Sequence, residues 1–367
     1  MGDGDGQTKI MTPLLQRLLN RIDLAGPIPF HEYWSLCQFD CQHGYYTTRI
    51  PIGAEGDFTT APEISQMFGE MIAAWWLTTV QQSHFKNTHL VEIGPGRGTL
   101  MADMLRTLDR LDSSLKTTLR VHMVDVSPRL AVLQKEKLAA SGFAIEWHKD
   151  IASLPKIPLG IIANELFDAI PVRPLIKHDG NWYEHTLSRG QGDTLRLTAQ
   201  PVNFDLSTLP EGHQAQPNGT VYEFAPARQA FMATLADALA EHGGFGLFID
   251  YGHAHSGFGD TVQAMKDHAF SNPLENLGEA DLTSHVDFSS LGAIARNSGL
   301  NVPPVQTQGE FLLKLGIESR LKRLLASRPD QRDTLVTAFE RLTANDQMGS
   351  LFKVLCISHP SIKLPVL

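Results

Sequence analysis

Long apolar runs, cysteines and positive charge are all scarce in this 367-residue chain, and each shortage excludes a class of protein. No apolar run reaches the roughly 18 residues that a membrane-spanning helix needs. The three cysteines, Cys37, Cys41 and Cys356, are too few for a disulfide framework, and their odd number fits a reducing compartment. The 31 Lys and Arg residues against 40 Asp and Glu residues give a net charge of −9, which argues against nucleic-acid binding and suits a basic protein partner.

Targeting and metal-binding patterns are scarce as well. Residues 1–7 are rich in Gly and Asp and contain neither a secretory apolar core nor an Arg-rich presequence, so a bacterial cytoplasmic location is expected. The spacing of His31, Cys37, Cys41 and His43 does not match the common zinc frameworks. No metal site is predicted there or in a second, irregularly spaced group: His253, His255, His268 and His285.

The stretch HLVEIGPGRGTL at residues 89–100 predicts a nucleotide-binding strand, turn and helix. Residues 90–93 have the pattern of a buried strand, and residues 99–110 place apolar side chains at helical spacing. Between them, Gly94, Gly96 and Gly98 permit a tight reversal and a close approach of a ligand to the backbone.

This turn differs from the glycine fingerprint of dinucleotide-binding proteins, and the difference indicates which nucleotide it binds. A dinucleotide fingerprint reads G-x-G-x-x-G, whereas the spacing here is G-x-G-x-G and Thr99 stands in place of the third fingerprint glycine. Glu92, at the end of the strand, would repel a pyrophosphate but attract the amino group of a methionine moiety. The turn therefore favours S-adenosylmethionine over NAD, although a tight turn without a ligand is the alternative that these residues leave open.

Acidic side chains recur at the ends of further predicted strands. Asp125 ends the strand at 119–125 and suits the two ribose hydroxyls of a nucleotide. Asp150 follows the strand at 144–148 and is placed to reach an adenine amino group. Because parallel strands end at one edge of a sheet, these carboxylates are expected near the glycine turn.

The order of elements predicts an α/β fold with a doubly wound, seven-stranded, Rossmann-like sheet. Its seven strands are expected at 90–93, 119–125, 144–148, 159–163, 245–252, 302–307 and 351–358. Helices are expected at 12–24, 29–38, 63–82, 226–242, 286–298, 310–327 and 330–344. Residues 1–85 are predicted to form a helical cap with a site-covering loop, residues 86–358 the main domain with a β insertion at about 172–224 and a helical insertion at about 310–346, and residues 359–367 a tail.

The motifs together resemble the MidA family of S-adenosylmethionine-dependent methyltransferases, which includes a mitochondrial complex I assembly factor that methylates protein arginine. The resemblance extends from about residue 12 to residue 358. Its segments are 26–28, 44–46, 56–65, 68–70, 92–100, 164–171, 250–252, 280–288, 307–309 and 348–349. Residues 37–42 depart from the family, which more often has a Tyr-His-Pro-like stretch there.

The resemblance implies a class I methyltransferase sheet, S-adenosylmethionine as cofactor, and symmetric dimethylation of an arginine in a 49 kDa-type subunit of respiratory complex I. A guanidinium is fully protonated and needs paired carboxylates that hold it by bidentate hydrogen bonds. Glu165 and Asp168 follow the strand at 159–163, and residues three apart in a turn entering a helix can face the same side. They are the expected catalytic pair.

The other expected site residues fall into two groups, those that would contact the cofactor and those that would contact the substrate. The expected cofactor-binding residues are Glu92, Gly94, Gly96, Gly98, Asp125, Asp150 and Asn164. The loop at 43–63 is rich in Gly, aromatic and hydroxyl residues, which is typical both of loops that line sites and of surface loops that pack aromatic side chains. The expected substrate-binding residues, most of them in that loop, are Tyr45, Tyr46, Asp57, Phe58, Thr59, Asp281 and His285.

Two other functions were compatible with the sequence. One is an assembly chaperone that binds the cofactor without catalysis, and the other is a methyltransferase for a small molecule or for another protein side chain. Neither the methyl acceptor nor the oligomeric state follows from the sequence, and a homodimer is compatible with it.

Overall fold

The computed structural model describes residues 11–49, 59–85, 87–202 and 205–365. Its strands are β1 (Ile28–Pro29), β2 (His89–Ile93), β3 (Arg120–Val124), β4 (Ala144–His148), β5 (Leu159–Asn164), β6 (Arg173–His178), β7 (Asn181–Arg189), β8 (Leu195–Pro201), β9 (Val221–Phe224), β10 (Gly244–His253), β11 (Gln263–Lys266), β12 (Ala269–Ser271), β13 (Asp281–Thr283), β14 (Val286–Asp287), β15 (Gln306–Thr307) and β16 (Phe352–Ser358). Its α-helices are α1 (Pro13–Ala25), α2 (Phe30–Phe39), α3 (Tyr45–Thr48), α4 (Ala61–Ile64), α5 (Gln66–Gln82), α6 (Thr99–Leu111), α7 (Leu115–Thr118), α8 (Pro128–Leu138), α9 (Pro226–His242), α10 (Phe288–Asn297), α11 (Gln308–Lys314), α12 (Ile317–Ser327), α13 (Arg332–Thr343) and α14 (Met348–Leu351).

The main sheet is mixed. Its strands lie in the order β15-β16-β10-β5-β2-β3-β4, and β14 pairs with β10 beside this row. The five strands from β10 to β4 run parallel, whereas β16 and β15 run antiparallel to their neighbours. The carboxyl ends of β2, β3, β4, β5 and β10 therefore meet at one edge, which is where ligands bind in sheets of this kind.

The predicted α/β fold is confirmed, and all seven predicted strand segments contribute to the main sheet. Two details of the sheet prediction are wrong. Of the strand expected at 302–307, only the two residues of β15 form a strand, because Pro303 and Pro304 lack the N–H groups needed for hydrogen bonds to a neighbouring strand. The helix expected at 286–298 begins with β14, so that the described sheet contains eight strands instead of seven.

Two helices that were predicted as continuous are each divided in the structure. The helix expected at 63–82 breaks at Ser65, whose side chain accepts a hydrogen bond from the Met67 N–H (3.2 Å) and so caps α5. The helix expected at 310–327 breaks before α12 at Gly316, whose φ of +88° is the left-handed conformation that glycine tolerates.

Helices cover both faces of the main sheet. On one face α5, α6, α11, α12 and α13 build an apolar core, in which the rings of Trp75 and Phe245 lie 5.5 Å apart. On the other face α9 and α10 pack over the sheet, where Phe248 contacts Phe167 with ring centroids 5.7 Å apart. Helices on both faces of the parallel strands explain why β2 and β5 are almost continuously buried.

The predicted β insertion forms a second sheet with a strand from the start of the chain. Its order is β1-β7-β6-β9, with β8 paired to β7, and β1 pairs antiparallel with β7. Side chains of α1 and α2 pack against the insertion, so that Leu14, Trp34 and Leu187 share one apolar cluster. The predicted division of the chain at residues 85 and 358 stays a prediction. Across the described ranges, no helix is both long and apolar enough to cross a membrane.

Candidate active site

A cavity of about 480 Å³ opens at the carboxyl edge of the parallel strands. Apolar side chains, among them Ile93, Leu130 and Phe231, form much of its wall. Five acidic residues also line it, and they are Asp125, Asp150, Glu165, Asp168 and Asp281, whereas the basic lining is Lys149. Such a predominance of carboxylates favours a cationic ligand.

The glycine turn, residues 94–98, forms one side of this cavity. Gly94, Gly96 and Gly98 all have positive φ, of +68°, +52° and +76°, which side chains with a Cβ avoid. The Gly94 N–H donates to the Val124 carbonyl (3.0 Å), and this bond fixes the turn beside the end of β3. Gly94 and Gly96 line the cavity, whereas Gly98 caps α6 and lies against Gln134.

A small pocket of about 40 Å³ adjoins the glycine turn, and Glu92 and Asn164 both line it. Glu92 Oε2 and Asn164 Oδ1 are buried and accept no hydrogen bond from the part of the chain that the structure describes. Burial, together with the charge of Asp125, raises the pKa of Glu92 to about 8. Two unpaired acceptors in one pocket fit an ammonium group, which carries only donors, as the methionine end of the cofactor does.

Asp125 and Asp150 line the cavity at the ends of neighbouring strands. Asp125 accepts hydrogen bonds from the Ser127 N–H (2.8 Å) and from Gln134 Nε2 (2.7 Å), and burial raises its pKa to about 6. Gln134 also donates to the Gly96 carbonyl (2.8 Å) and so ties the glycine turn to Asp125. Sequence reasoning missed Gln134, since it lies on α8 as one polar residue of an amphipathic helix.

The acidic turn, residues 165–170, follows β5 directly. Glu165 has a φ of +53°, and its Oε1 accepts from Asn164 Nδ2 (2.8 Å) and from the Ala61 N–H (3.3 Å). Burial, followed by the charge of Asp168, raises the pKa of Glu165 to about 7. Asp168 is 6% exposed, burial raises its pKa, and its Oδ1 has no hydrogen-bond partner among the described residues. Both residues of the predicted catalytic pair therefore line one cavity, and Asp168 keeps an unpaired acceptor oxygen there.

Asp250 and Arg228 support the acidic turn from outside the cavity lining. Asp250 Oδ2 accepts from three consecutive backbone N–H groups at distances of 2.9–3.1 Å, those of Leu166, Phe167 and Asp168. Arg228, only 2% exposed, donates to the carbonyl oxygens of Ile170, Asp168 and His285 at distances of 2.8–2.9 Å. Asp250 was visible in the sequence as an acid near a strand end, but nothing in the sequence singled out Arg228.

The opposite wall brings together two residues of the predicted substrate-binding set. Tyr46 donates its hydroxyl to Asp281 (2.9 Å), and both line the cavity. Tyr45 is fully buried beneath Tyr46, with ring centroids 5.2 Å apart, and therefore belongs to the core. Thr59 does not line the cavity, although its neighbour Thr60 does. The other two loop residues of the prediction lie outside the described residues: Asp57 and Phe58.

His285 is not where the sequence placed it. It lines a second cavity of about 290 Å³, which also contains His253 and Arg228. Tyr251 separates the two spaces, since it lines the first cavity while its ring contacts that of His285 at 5.6 Å. The expectation that His285 faces the same cavity as Asp281 is wrong, because hydrogen bonds from the His285 N–H to the Thr261 hydroxyl (2.9 Å) and from Arg228 to the His285 carbonyl (2.8 Å) hold it among the residues of the second cavity.

The sequence profile of a family described as "Putative S-adenosyl-L-methionine-dependent methyltransferase" matches residues 71–305. The chain belongs to this methyltransferase family. The methyltransferase is 34% identical to "Protein arginine methyltransferase NDUFAF7 homolog, mitochondrial" of Drosophila melanogaster, over 94% of this chain and 84% of that protein. It is 33% identical to the human "Protein arginine methyltransferase NDUFAF7, mitochondrial", over 93% of this chain and 82% of that protein. The resemblance to the MidA family is confirmed.

A solved structure has the same fold as this methyltransferase. It is a Burkholderia thailandensis protein crystallised with S-adenosyl-homocysteine, and it is 27% identical, with a TM-score of 0.85 over 96% of this chain and 95% of that chain. S-adenosyl-homocysteine is what remains of S-adenosylmethionine after methyl transfer. The family and this neighbour confirm the predicted cofactor, S-adenosylmethionine.

Proposed function

We propose that this S-adenosylmethionine-dependent methyltransferase acts on the guanidinium of a protein arginine. The observation that carries the proposal is the placement of Glu165 and Asp168 on one turn, beside the small pocket that fits an ammonium group. Asp281 lines the same cavity. The names of the fly and human relatives, both protein arginine methyltransferases, support it.

The acidic cavity suits the chemistry of an arginine acceptor. A guanidinium has a pKa above about 12 and presents its N–H donors as a planar fork. Two carboxylates can hold that fork by bidentate hydrogen bonds, which orients one nitrogen and localises positive charge on the others. The unpaired Oδ1 of Asp168 and the carboxyl of Glu165 supply acceptors for this purpose.

The cofactor, when bound, supplies a methyl group carried by a sulfonium, and the sulfur is left as a neutral thioether after the transfer. The side chains of this protein position the acceptor nitrogen in line with that methyl group and exclude water, which is where most of the rate acceleration of such a transfer arises. The attacking nitrogen gains a bond to carbon and loses one proton. Glu165 is placed to accept that proton, since its raised pKa of about 7 makes it a stronger base than an exposed glutamate.

The finer parts of the proposal follow the family resemblance. We propose symmetric dimethylarginine as the product and a subunit of respiratory complex I as the protein substrate. The bacterial cytoplasm, which does not follow from the resemblance, stays a prediction. A homodimer stays a prediction. The unpaired oxygen of Asp168 favours a catalytic role over that of a chaperone that only binds the cofactor, because an assembly factor without chemistry needs no free acceptor there.

Intact-mass analysis tests the proposal. The purified protein is incubated with S-adenosylmethionine and isolated complex I subunits, and the expected result is a mass gain of two methyl groups on one arginine. Glu165→Gln should slow the gain at least about a hundredfold while retaining cofactor binding. Methylation of a small molecule or of another side chain would overturn the arginine assignment. A Glu165→Ala variant that still supports complex assembly in cells would favour the chaperone.

A further inference from the structure

Three imidazole rings form a row across the main sheet, away from the lining of both cavities. His89 Nδ1 lies 2.9 Å from His122 Nε2, and His122 Nδ1 lies 2.9 Å from His148 Nε2. The three residues belong to the adjacent strands β2, β3 and β4. Glu146, which pairs with His122 across β3 and β4, brings its Oε2 to 3.8 Å from His122 Nδ1.

We propose that His122, His148 and Glu146 bind one zinc ion. The potential ligand atoms of these three side chains all lie within 4.8 Å of one another. In a tetrahedral zinc site with bonds of about 2.0–2.1 Å, ligand atoms lie roughly 3.3 Å apart, so only small movements are required. Two imidazoles and a carboxylate are among the ligand sets that zinc uses when its fourth position is left to water.

The ring nitrogens that would not bind the metal already have partners. His148 Nδ1 lies 3.1 Å from Ser153 Oγ, whose hydroxyl proton goes to the Asp150 carbonyl (2.8 Å). Ser153 therefore accepts from the Nδ1–H of His148, which leaves His148 Nε2 as a bare acceptor facing His122. On the other ring, His122 Nε2–H can donate to His89 Nδ1. Metal-binding histidines almost always donate their second N–H in this way.

The position of the three residues also provides access for an ion. His122 is 2% exposed and fixed within the sheet, whereas the side chain of Glu146 is 65% exposed and can move toward the ion. β4 is the edge strand of the main sheet. An ion held by His122 on β3 and by the other two ligands on β4 would tie this edge strand to its neighbour.

Equilibrium dialysis of the chelator-treated, full-length protein against Zn²⁺, with the metal counted per chain, tests the site. We expect one tightly bound zinc ion in the wild type and a loss of affinity of at least about 100-fold in His148→Ala and in Glu146→Gln. Ser153→Ala should weaken binding about tenfold, since it removes the partner of His148 Nδ1. His178→Ala and Glu136→Gln alter an exposed histidine and an exposed glutamate elsewhere, and they should bind zinc as the wild type does.

Two further readouts separate a metal site from a merely structural row of histidines. Zinc should raise the Tm of the wild type and leave that of His148→Ala unchanged, and Co²⁺ should give the visible absorption of a tetrahedral site in the wild type alone. Wild-type protein that binds no stoichiometric zinc would overturn the proposal. Equal binding by His148→Ala or Glu146→Gln would overturn it as well, because the ion would then lie at other residues.

Discussion

The glycine turn and the acidic turn follow adjacent parallel strands, β2 and β5, at the same edge of the sheet, but they are held in place differently. The glycine turn takes its positive φ angles at glycines and closes with a local hydrogen bond from the Gly98 N–H to the Pro95 carbonyl (2.8 Å). The acidic turn has its positive φ at Glu165, and because Glu165 has a Cβ, this backbone conformation is unfavourable.

The difference shows where each turn obtains its stability. The glycine turn takes its shape from its own glycines and is only anchored by bonds to Val124 and Gln134, whereas the acidic turn relies on Asp250 and Arg228, which are distant in the chain. The two turns also touch, since a Cβ at Gly94 would lie 3.0 Å from Leu166 Cδ1. Substitutions in the two turns can therefore distinguish stabilisation by neighbouring residues from stabilisation by distant ones. They can also distinguish effects on methyl transfer from effects on cofactor binding.

The largest effect is expected from Glu165→Gln, which keeps the shape of the acidic turn and removes its base. We expect kcat to fall roughly a hundred- to ten-thousand-fold, the range for removal of a general base. Methyl transfer to an arginine substrate measures the change, and calorimetry should show cofactor affinity within about tenfold of the wild type. Glu136→Gln, an exposed substitution, is the control. Full activity of Glu165→Gln would exclude Glu165 as the base.

The next largest effect is expected from Arg228→Met, which removes the remote support of the acidic turn. Arg228 is a positioning residue, and its loss leaves the carbonyl oxygens of Ile170 and His285 without that donor, whereas the Asp168 carbonyl still accepts from the Ser284 N–H (3.2 Å). Because each buried acceptor left unpaired costs about 1–3 kcal/mol, we expect the free energy of unfolding to fall by about 2–6 kcal/mol, as measured by urea denaturation. Arg196→Met changes an exposed arginine and should cost no more than about 0.5 kcal/mol. Equal stability of the two variants would contradict the role given to Arg228.

Glu92→Gln tests the pocket beside the glycine turn. In the wild type the ammonium group of the cofactor would form a charge-assisted hydrogen bond with the buried carboxylate of Glu92. The variant cannot form this bond, so we expect S-adenosylmethionine to bind about 10- to 100-fold more weakly. Calorimetric titration measures this. Glu63→Gln is the matched control, because Glu63 lines the same pocket but already accepts the Thr99 hydroxyl (2.5 Å). A larger effect at Glu63 would place the ammonium elsewhere.

The raised pKa of Glu92, about 8, predicts a pH dependence of cofactor binding. Below that pH the carboxyl of the free protein becomes protonated and neutral, so it attracts an ammonium group less. Cofactor affinity should therefore decrease as the pH is lowered from about 8 to about 6, where the ammonium group stays protonated, by up to about tenfold per pH unit below the pKa. The decrease should be absent in Glu92→Gln. Its persistence in that variant would assign the titration to another group.

The smallest effect is expected where the two turns touch. Gly94→Ala and Gly180→Ala both place a Cβ at positive φ, of +68° and +78°, and each should cost about 1–2 kcal/mol of stability. At Gly94 the new Cβ would also press on Leu166, whereas nothing lies within 4 Å at Gly180. Gly94→Ala should therefore be the more destabilising of the two in thermal denaturation. The reverse order would show that the turns are not in firm contact.

Much of the site could be predicted because its residues stand at strand ends, where local patterns locate them. Glu92, Asp125 and Glu165 were all identified from the strand that precedes each of them. Glycine spacing together with the charge of Glu92 favoured S-adenosylmethionine over a dinucleotide, and the family and its solved neighbour confirm S-adenosylmethionine as the cofactor. The role of each residue in binding or transfer stays a proposal.

The errors arose where the outcome depends on contacts between distant segments. His285 was expected in the cavity of Asp281, but hydrogen bonds to Thr261 and Arg228, which are distant in the chain, hold it in the second cavity. The eighth strand is only two residues long, and no periodicity can be read from so short a segment. The sequence likewise offered no metal spacing for the histidine row, whose neighbours are 33 and 26 residues apart in the chain.

The sequence by itself determined the α/β fold, the family resemblance that implies S-adenosylmethionine, and the edge of the sheet at which the strand-end acids gather, because strand patterns, glycine φ preferences and sequence motifs are local properties. Only the tertiary structure decided which distant groups hold the acidic turn, on which side of Tyr251 His285 lies, and that three histidines on neighbouring strands lie with ring nitrogens 2.9 Å apart. These depend on strand order and helix packing, which bring together residues that no local pattern connects.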